Sequence, residues 1–414
     1  MAAVPAADRP FVVDPLDGYE LLVDEDRKGR LRSLFAQLEA GAPGAALVSA
    51  ADEFLAVDDT FHPARVLAAQ GELAAGNREA AFERLTPAVT ELPRYTAAQL
   101  LRGRAAEGLG DLVAAAEAYG AIGDVSGLAA DRFRDLLPAV EDILGRRLED
   151  AIARQRLDLA EEVLERLSRW SPDSLVTLEG RRALAVATDD PVAELASLIR
   201  LQERWPEDRA LAERRGDLEL EVGDPGRGLA VFESLAGRHP GDPGLAAKVR
   251  RAKFRWRFSQ LPREVTEIAA KAALDRADHA QLLYWALPAV RYGRGGEARI
   301  ATDILDHPQR EAIARVVNLG LMRVEQSVHR FSPEREVSRA EVFESLLRLV
   351  SSKAPQPSCV AGFEASRRPS MAFVCEVATR CGLVPSEADC LPRTGISGSE
   401  ALDLIRLGSE LLGS

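Results

Sequence analysis

The amino-acid sequence predicts an all-α protein in which an α-solenoid of helical repeats is followed by a smaller helical bundle. Three observations lead to this prediction. Aromatic residues make up only 5% of the 414 residues, while Ala, Leu, Arg and Glu are abundant, and this composition favours helix over sheet. Prolines recur every 34 residues in the first part of the chain. Helix starts of one common pattern recur at longer intervals in the last part.

The charge distribution also indicates two parts. Residues 1–250 carry a net charge of -15 and residues 251–414 one of +3, which gives -12 in total. The sequence predicts four successive segments: an N-terminal extension (1–29), a repeat solenoid (30–247), a basic and aromatic joint (248–260) and three helical modules (261–414). Such an acidic chain is a poor surface for nucleic acid, because nucleic-acid binding depends on neutralising phosphates.

A period of 34 residues is typical of two-helix repeats. It separates Pro172, Pro206 and Pro240. In the unit "RRGDLELEVGDPGRGLAVFESLAGRHP", Gly216 allows close packing of the first helix, and Phe232 lies on one apolar face of the second helix. The spacing of small, aromatic and proline positions over residues 65–245 resembles the tetratricopeptide repeat, with roughly 11 extra residues before Pro172. The resemblance implies stacked helix pairs with a groove for a protein partner.

The joint contains the sequence "KVRRAKFRWRFSQLPR", in which Phe254, Trp256 and Phe258 alternate with arginines. Aromatic side chains interleaved with cations are typical of surfaces that grip single-stranded nucleic acid. The end of a helix also favours basic residues, and Trp256 is suited to wedging between two domains. We favour the structural interpretation and expect no nucleic-acid partner, because no basic track continues from the joint.

Three tetrads of similar pattern begin the helices of the last part. They are Asp275-Arg276-Ala277-Asp278, Ser338-Arg339-Ala340-Glu341 and Ser397-Gly398-Ser399-Glu400. In one interpretation each tetrad is a capping box, whose first and fourth residues satisfy each other's backbone amides. In the other, the arginines Arg339 and Arg276 contact a ligand. The two interpretations are compatible, and Gly398 indicates that capping alone explains what the three tetrads share.

The middle module is the most complete. It contains Asp303 and His307 before a helix, Gly320-Leu321 after it, and Phe331-Ser332-Pro333 before the tetrad. Residues 261–414 thus resemble three S-layer homology modules. The resemblance implies a bacterial protein with a three-pronged helical bundle that binds pyruvylated cell-wall polysaccharide, in which Arg339 and Arg276 pair with the anionic ketal. The chain departs from the pattern at Gly398, in place of the third arginine, and at Pro308, in place of the groove tryptophan.

No catalytic, cofactor or metal constellation is found in the sequence, and its five histidines are scattered. The four cysteines Cys359, Cys375, Cys381 and Cys390 form no Cys-x-x-Cys pair, which disfavours zinc. We expect buried free thiols. The alternative, in an oxidising compartment, is a disulfide such as Cys359–Cys390.

The sequence favours a non-enzymatic adaptor with a protein partner in the solenoid groove. The alternative function is a cell-envelope anchor that binds an anionic cell-wall glycan. Neither a secretory signal pattern nor an apolar run long enough to span a membrane is present in the sequence as given. A cytoplasmic location is therefore expected, or the cell envelope if the S-layer-like modules bind glycan.

Overall fold

The computed structural model describes residues 12–293, 299, 301–325, 327–364, 366, 368–391 and 393–413, so residues 1–11 of the predicted extension lie outside it. In these residues the chain forms twenty α-helices and four short 3-10 helices but no β-strand, which confirms the predicted all-α class. The chain divides into two compact units, one up to Arg204 and one from Trp205. This division falls inside the predicted 30–247 solenoid, and the predicted domain bounds stay a prediction.

Helices of the first unit follow one another in short antiparallel steps. They are α1 (Glu25–Glu39), α2 (Gly44–Val57), α3 (His62–Ala74), α4 (Arg78–Glu91), α5 (Thr96–Leu109), α6 (Leu112–Gly120), α7 (Gly127–Ala153), α8 (Leu157–Trp170), α9 (Leu175–Ala187) and α10 (Pro191–Arg204). Each helix from α2 onward packs on the next, and the first helices of two successive pairs, α3 and α5, also touch. This is the packing of a helical-repeat array.

Helices α5 and α6 pack closely because a glycine of α5 lies against an aromatic ring of α6. A Cβ atom on Gly103 of α5 would lie 2.6 Å from the ring of Tyr119 in α6. Tyr119 is buried, and its ring occupies the space that the glycine leaves. The repeat therefore requires its small residue and its aromatic residue as a matched pair.

The longest helix, α7, has 27 residues, whereas most of its neighbours have 13 or 14. Its C-terminal half buries Val140, Leu144 and Leu148 in a core shared with Val163 and Leu167 of α8. The extra residues that precede Pro172 in the sequence thus lengthen a helix and do not form a loop.

The second unit begins with helices of the same kind and continues into shorter ones. They are α11 (Arg209–Glu221), α12 (Pro225–Arg238), α13 (Pro243–Ser259), α14 (Arg263–Thr266), α15 (Arg276–Ala286), α16 (Pro288–Tyr292), α17 (Arg310–Asn318), α18 (Arg339–Ser351), α19 (Met371–Arg380) and α20 (Gly398–Leu412). In α11, Gly216 lies under the ring of Phe232 of α12, with 2.6 Å between that ring and a Cβ atom built on the glycine. Nearly all of the predicted joint 248–260 belongs to α13, so it is helix and not a linker.

Helices α15, α18 and α20 start around one common centre. The residue before each N-cap is buried there: Leu274, Val337 and Ile396. The amide of Leu274 donates to the carbonyl of Ile396, and the amide of Val337 donates to the carbonyl of Leu274, both at 3.0 Å. The three modules are therefore joined at the points where their long helices begin.

Candidate functional site

Each of the three helix starts carries a capping box. The amides of Asp278, Glu341 and Glu400 donate to the side chains of Asp275 (2.7 Å), Ser338 (3.4 Å) and Ser397 (3.3 Å). In return, the amides of Asp275, Ser338 and Ser397 donate to the carboxylates of Asp278 (3.4 Å), Glu341 (3.2 Å) and Glu400 (3.1 Å). At the start of each helix, these side chains accept from two backbone amides, including one that has no acceptor within the helix.

The capping carboxylates have a second set of partners that lie in other parts of the sequence. Arg276 pairs with Glu341, and Arg339 pairs with Glu400. Lys271 donates to both oxygens of Asp278, at 2.7 and 2.8 Å. Every capping carboxylate therefore caps its own helix and also forms an ion pair with a cation. In the two arginine pairs, the arginine belongs to the preceding module.

The third tetrad has glycine where the other two have arginine for a steric reason. A Cβ atom on Gly398 would lie 1.9 Å from the carbonyl oxygen of Ile268 and 2.8 Å from the backbone of Ala269. The amide of Gly398 also donates to the carbonyl of Lys271 at 2.8 Å. The backbone of this segment thus fills the place of the side chain, while Lys271 supplies the cation for Asp278, the capping carboxylate that no tetrad arginine contacts.

Arg276 is a buried structural residue, with 5% of its surface exposed. Its Nε donates to the carbonyl of Phe331 at 2.9 Å, and its Nη2 donates to the carbonyl of Arg323 at 2.6 Å. Burial lowers the pKa of this guanidinium, and the charge of Glu341 opposes that shift. This burial argues against a direct ligand contact by Arg276, which was predicted from the sequence as a candidate.

Arg339 differs from Arg276 because it reaches the surface. One fifth of its side chain is exposed, and its partner Glu400 is about half exposed. The amide of Ser397 lowers the pKa of Glu400, and Arg339 adds to this effect, so the carboxylate stays charged as a partner. Of the two predicted ligand residues, only Arg339 has part of its guanidinium side chain accessible to solvent.

Beside the apolar core of this region, two further polar side chains have hydrogen-bond partners. His279 is completely buried, with Nε2 at 2.8 Å from the hydroxyl of Ser345, and burial lowers its pKa to about 3. Asp303 accepts from the amides of Phe331 (2.8 Å) and Ser332 (2.7 Å). Asp303, which was noted in the sequence of the middle module, therefore stabilises the loop that contains Phe331 and Ser332.

The aromatic residues of the predicted joint have separate environments. Phe254 and Phe258 are buried in the core of the C-terminal modules, whereas Trp256 is 42% exposed. The phenylalanines therefore take the buried side of α13, and the expectation that Trp256 wedges between domains stays a prediction. The three rings do not form a common face on which bases could stack, since two of them are covered.

The prediction of free thiols is wrong. Cys359 is bonded to Cys381, and Cys375 is bonded to Cys390. The alternative pairing Cys359–Cys390 is not formed, because α19 presents Cys375 towards the segment that contains Cys390. The Cα atoms of the two pairs are 5.0 and 5.8 Å apart, which is the usual range for disulfides.

A contact that the sequence did not predict lies in the N-terminal extension. Residues 12–19 run across helices α3 and α5. The amide group of Gln70 in α3 forms two hydrogen bonds of 2.8 Å with the backbone of Val13, one as donor and one as acceptor. The amide of Ala97 in α5 donates to the carbonyl of Asp17 at 3.1 Å. A segment that has no regular structure at residues 12–14 and turns over residues 15–18 is thus held mainly through its backbone.

Burial of two side chains strengthens this contact. Val13 and Pro15 are buried, while Asp14 between them is exposed, an alternation typical of extended chain. The buried Tyr95 donates its hydroxyl to the carbonyl of Pro15. Gly18 has a positive φ of 74°, and a Cβ atom there would lie 2.5 Å from Oγ1 of Thr96. The sequence "VVDPLDGYE" signals an extended stretch and a turn, but not where it docks.

The described residues contain no cluster of His, Cys, Asp or Glu able to hold a metal ion. Among the helices of the described part of the chain, none is both long and apolar enough to cross a membrane.

No family model matches the chain, and no curated protein matches it. Similar solved structures include a thermophilic tetratricopeptide-repeat protein from Thermus thermophilus, with 18% identity over 55% of this chain and 98% of that chain, and a TM-score of 0.19. The tetratricopeptide-repeat domain of P58(IPK) has 15% identity over 94% and 98%, with a TM-score of 0.29. A tetratricopeptide-repeat protein from Parabacteroides merdae has 16% identity over 59% and 97%, with a TM-score of 0.21.

These TM-scores are below 0.5, so the class of the protein rests on its own helix packing and 34-residue spacing. It is an all-α protein built on helical repeats.

Proposed function

We propose that this protein is a non-enzymatic interaction scaffold whose first helical pairs hold an extended segment of a partner protein. The observation that carries the proposal is the double hydrogen bond between Gln70 and the backbone of Val13. A side-chain amide that satisfies both backbone groups of one residue recognises an extended peptide whatever its side chains are. The surface of α3 and α5 therefore has the chemistry of a peptide-binding site, occupied by the chain's own residues 12–19.

The selectivity of this site comes from its buried positions. Val13 and Pro15 fill apolar space, and Tyr95 binds the carbonyl of Pro15. A partner segment would need a medium-sized apolar residue at the first position and an extended residue such as proline two places later. We propose that such a segment replaces residues 12–19 on the same surface.

The test uses a fluorescent peptide with the sequence of residues 12–20. It is titrated against the chain and against a Val13→Asp variant, in which a buried charge releases the intramolecular segment. We expect the peptide to bind the Val13→Asp variant more tightly than the wild-type chain. Adding Gln70→Ala should weaken this binding by about tenfold, the equivalent of one or two hydrogen bonds.

Gln99 provides the matched control, since it is also a buried carboxamide but bonds to Pro93 and not to the segment. Gln99→Ala should leave peptide binding unchanged. If the peptide binds no folded variant, residues 12–19 are a permanent part of the fold and the proposed site is wrong.

A second candidate function is that of an anchor to an anionic cell-wall glycan. Two features support it: the partial exposure of Arg339, and two disulfides within one module. Paired disulfides are typical of proteins that fold in an oxidising compartment, which favours a location outside the cytoplasm. Glycan anionic groups would compete with Glu400 for Arg339, while the buried Arg276 would keep its structural role.

Binding of the purified protein to isolated cell-wall material tests this function. Arg339→Ala should abolish binding, whereas Arg335→Ala, which removes a more exposed arginine that pairs with Glu341, should not. Equal binding by both variants would leave Arg339 as a structural residue. Cell fractionation, together with alkylation of free thiols, checks the proposed location.

A further inference from the structure

Helices α12, α13 and α20 enclose an open cleft of about 930 Å³ within the second unit. Its wall on the α13 side contains Arg250, Lys253 and Arg257, and the exposed ring of Trp256 lies at its edge. This cleft is separate from the surface of α3 and α5 and from the three capped helix starts.

The charge of α13 is unusual for so acidic a chain. Its 17 residues include six cations and no carboxylate. Four of the six are neutralised by carboxylates of neighbouring helices. The pairs are Lys248 with Asp217 (2.7 Å), Arg251 with Asp217 (3.9 Å), Lys253 with Glu233 (3.1 Å) and Arg255 with Asp403 (3.0 Å).

The remaining two cations, Arg250 and Arg257, both face the cleft and have no carboxylate partner among the described residues. They lie seven residues apart, which places them on one face of the helix about 10 Å from each other. The two carboxylates of the cleft pair with other cations, Glu233 with Lys253 at 3.1 Å and Glu410 with Arg406 at 2.7 Å.

The surroundings of these arginines favour a ligand over a merely solvated face. Phe254 forms an apolar floor, and Trp256 offers an exposed ring beside the charges. Arginine beside an exposed aromatic ring is the composition of binding centres at protein interfaces. The helix dipole favours a cation in the last turn of α13, which explains the position of Arg257 without a ligand. It does not explain Arg250, because Arg250 lies in the middle of the helix.

We infer that this cleft binds an acidic peptide segment of a partner protein. In an extended peptide, side chains four residues apart lie on the same face about 13 Å from each other, so two such carboxylates span the long side chains of Arg250 and Arg257. An apolar residue between them would lie on Trp256. Nucleic acid fits less well, because the two carboxylates of the cleft interrupt the basic track that a phosphate backbone needs.

The experiment measures fluorescence anisotropy of a short labelled peptide with the pattern Glu-Ser-Leu-Ser-Glu, in which both glutamates and the leucine share one face, added to the full-length protein. The test variant is Arg250→Gln with Arg257→Gln. The control variant is Arg251→Gln with Arg263→Gln, which removes the same charge from exposed positions that do not line the cleft. Circular dichroism verifies that both variants keep their helices.

We expect the wild-type protein and the control variant to bind the peptide with similar affinity, and the test variant to bind at least about tenfold more weakly. The same peptide with glutamine for glutamate should not bind, and added salt should weaken binding. The inference is overturned if the wild-type protein fails to bind, or if both variants lose affinity equally. Tighter binding of oligothymidylate, lost in the test variant alone, would replace the acidic peptide by a nucleic acid.

Discussion

In the first unit, helices contact their neighbours in sequence through apolar side chains and glycines, whereas the three C-terminal helix starts share an apolar core and are also joined by ion pairs between residues far apart in the sequence. The pair of Gly103 and Tyr119 is an example of the first kind. Arg276 with Glu341, 65 residues further along the chain, is an example of the second. Local apolar contacts allow each helix pair to be stable with its neighbours alone, while long-range polar contacts make the modules depend on one another.

The largest effect expected from this difference is that of reduction. All four cysteines are paired, and they lie between residues 359 and 390. Each disulfide closes a short loop and contributes about 3 kcal/mol, so reducing both should destabilise the third module by roughly 6 kcal/mol. Hydrogen exchange should then accelerate in α19 and α20, but not in α3 to α6. Acceleration in both regions alike would contradict the comparison.

The next largest effect is expected for Arg276→Met. Removing this buried cation leaves two carbonyls without their donor and Glu341 with only the exposed Arg335 as a cation, at a cost of about 3 to 5 kcal/mol. Arg335→Gln is the control, because Arg335 pairs with the same carboxylate from an exposed position and should contribute at most about 1 kcal/mol. Urea unfolding of both variants measures the difference, and equal losses would mean that burial does not matter here.

A substitution within one helix pair of the first unit should lower the stability less, and only within that pair. Gly103→Ala places a methyl group against the ring of Tyr119 and should cost about 1 to 3 kcal/mol, with faster hydrogen exchange in α5 and α6 only. Gly29→Ala, in open space within α1, should instead stabilise the protein by up to about 1 kcal/mol. Spread of the Gly103→Ala effect to α15 or α18 would show that the two regions are not independent.

Acidification should destabilise the modules through His279. The folded protein keeps this imidazole neutral down to a pKa of about 3, whereas the unfolded chain takes up the proton near pH 6.5. The unfolded state thus binds more protons between these values, so stability is complete above pH 6.5 and falls by about 1.4 kcal/mol per pH unit below it.

Denaturant unfolding between pH 7 and 5 measures this slope. His279→Gln, which can still bond to Ser345, should flatten it. An unchanged slope would assign the pH dependence to other groups.

The smallest effect is expected at the caps. Ser338→Ala removes one acceptor from the start of α18 and should cost about 1 kcal/mol. Ser338→Asp keeps an acceptor there and should restore most of the loss, as Asp275 does in the first module. Thermal unfolding of the two variants checks the order, and equal losses would show that the cap contributes through something other than its side-chain oxygen.

The sequence alone determined the features that depend on neighbouring residues. A capping box joins residues three apart in one turn, so the pattern Ser-x-x-Glu is sufficient to predict it. The helical class and the apolar face that carries Phe232 also follow from periodic spacing within a repeat, because helix geometry fixes which residues share a face.

Tertiary structure decided the contacts between distant parts of the chain. Nothing local indicates that Arg339 pairs with Glu400, that Cys375 pairs with Cys390, or that Gln70 holds Val13. Each of these contacts joins residues between 15 and 61 positions apart, and each depends on how helices are placed after they form. Gly398 is a clear case: the sequence shows a missing arginine, and only the fold shows the backbone of Ile268 in its place.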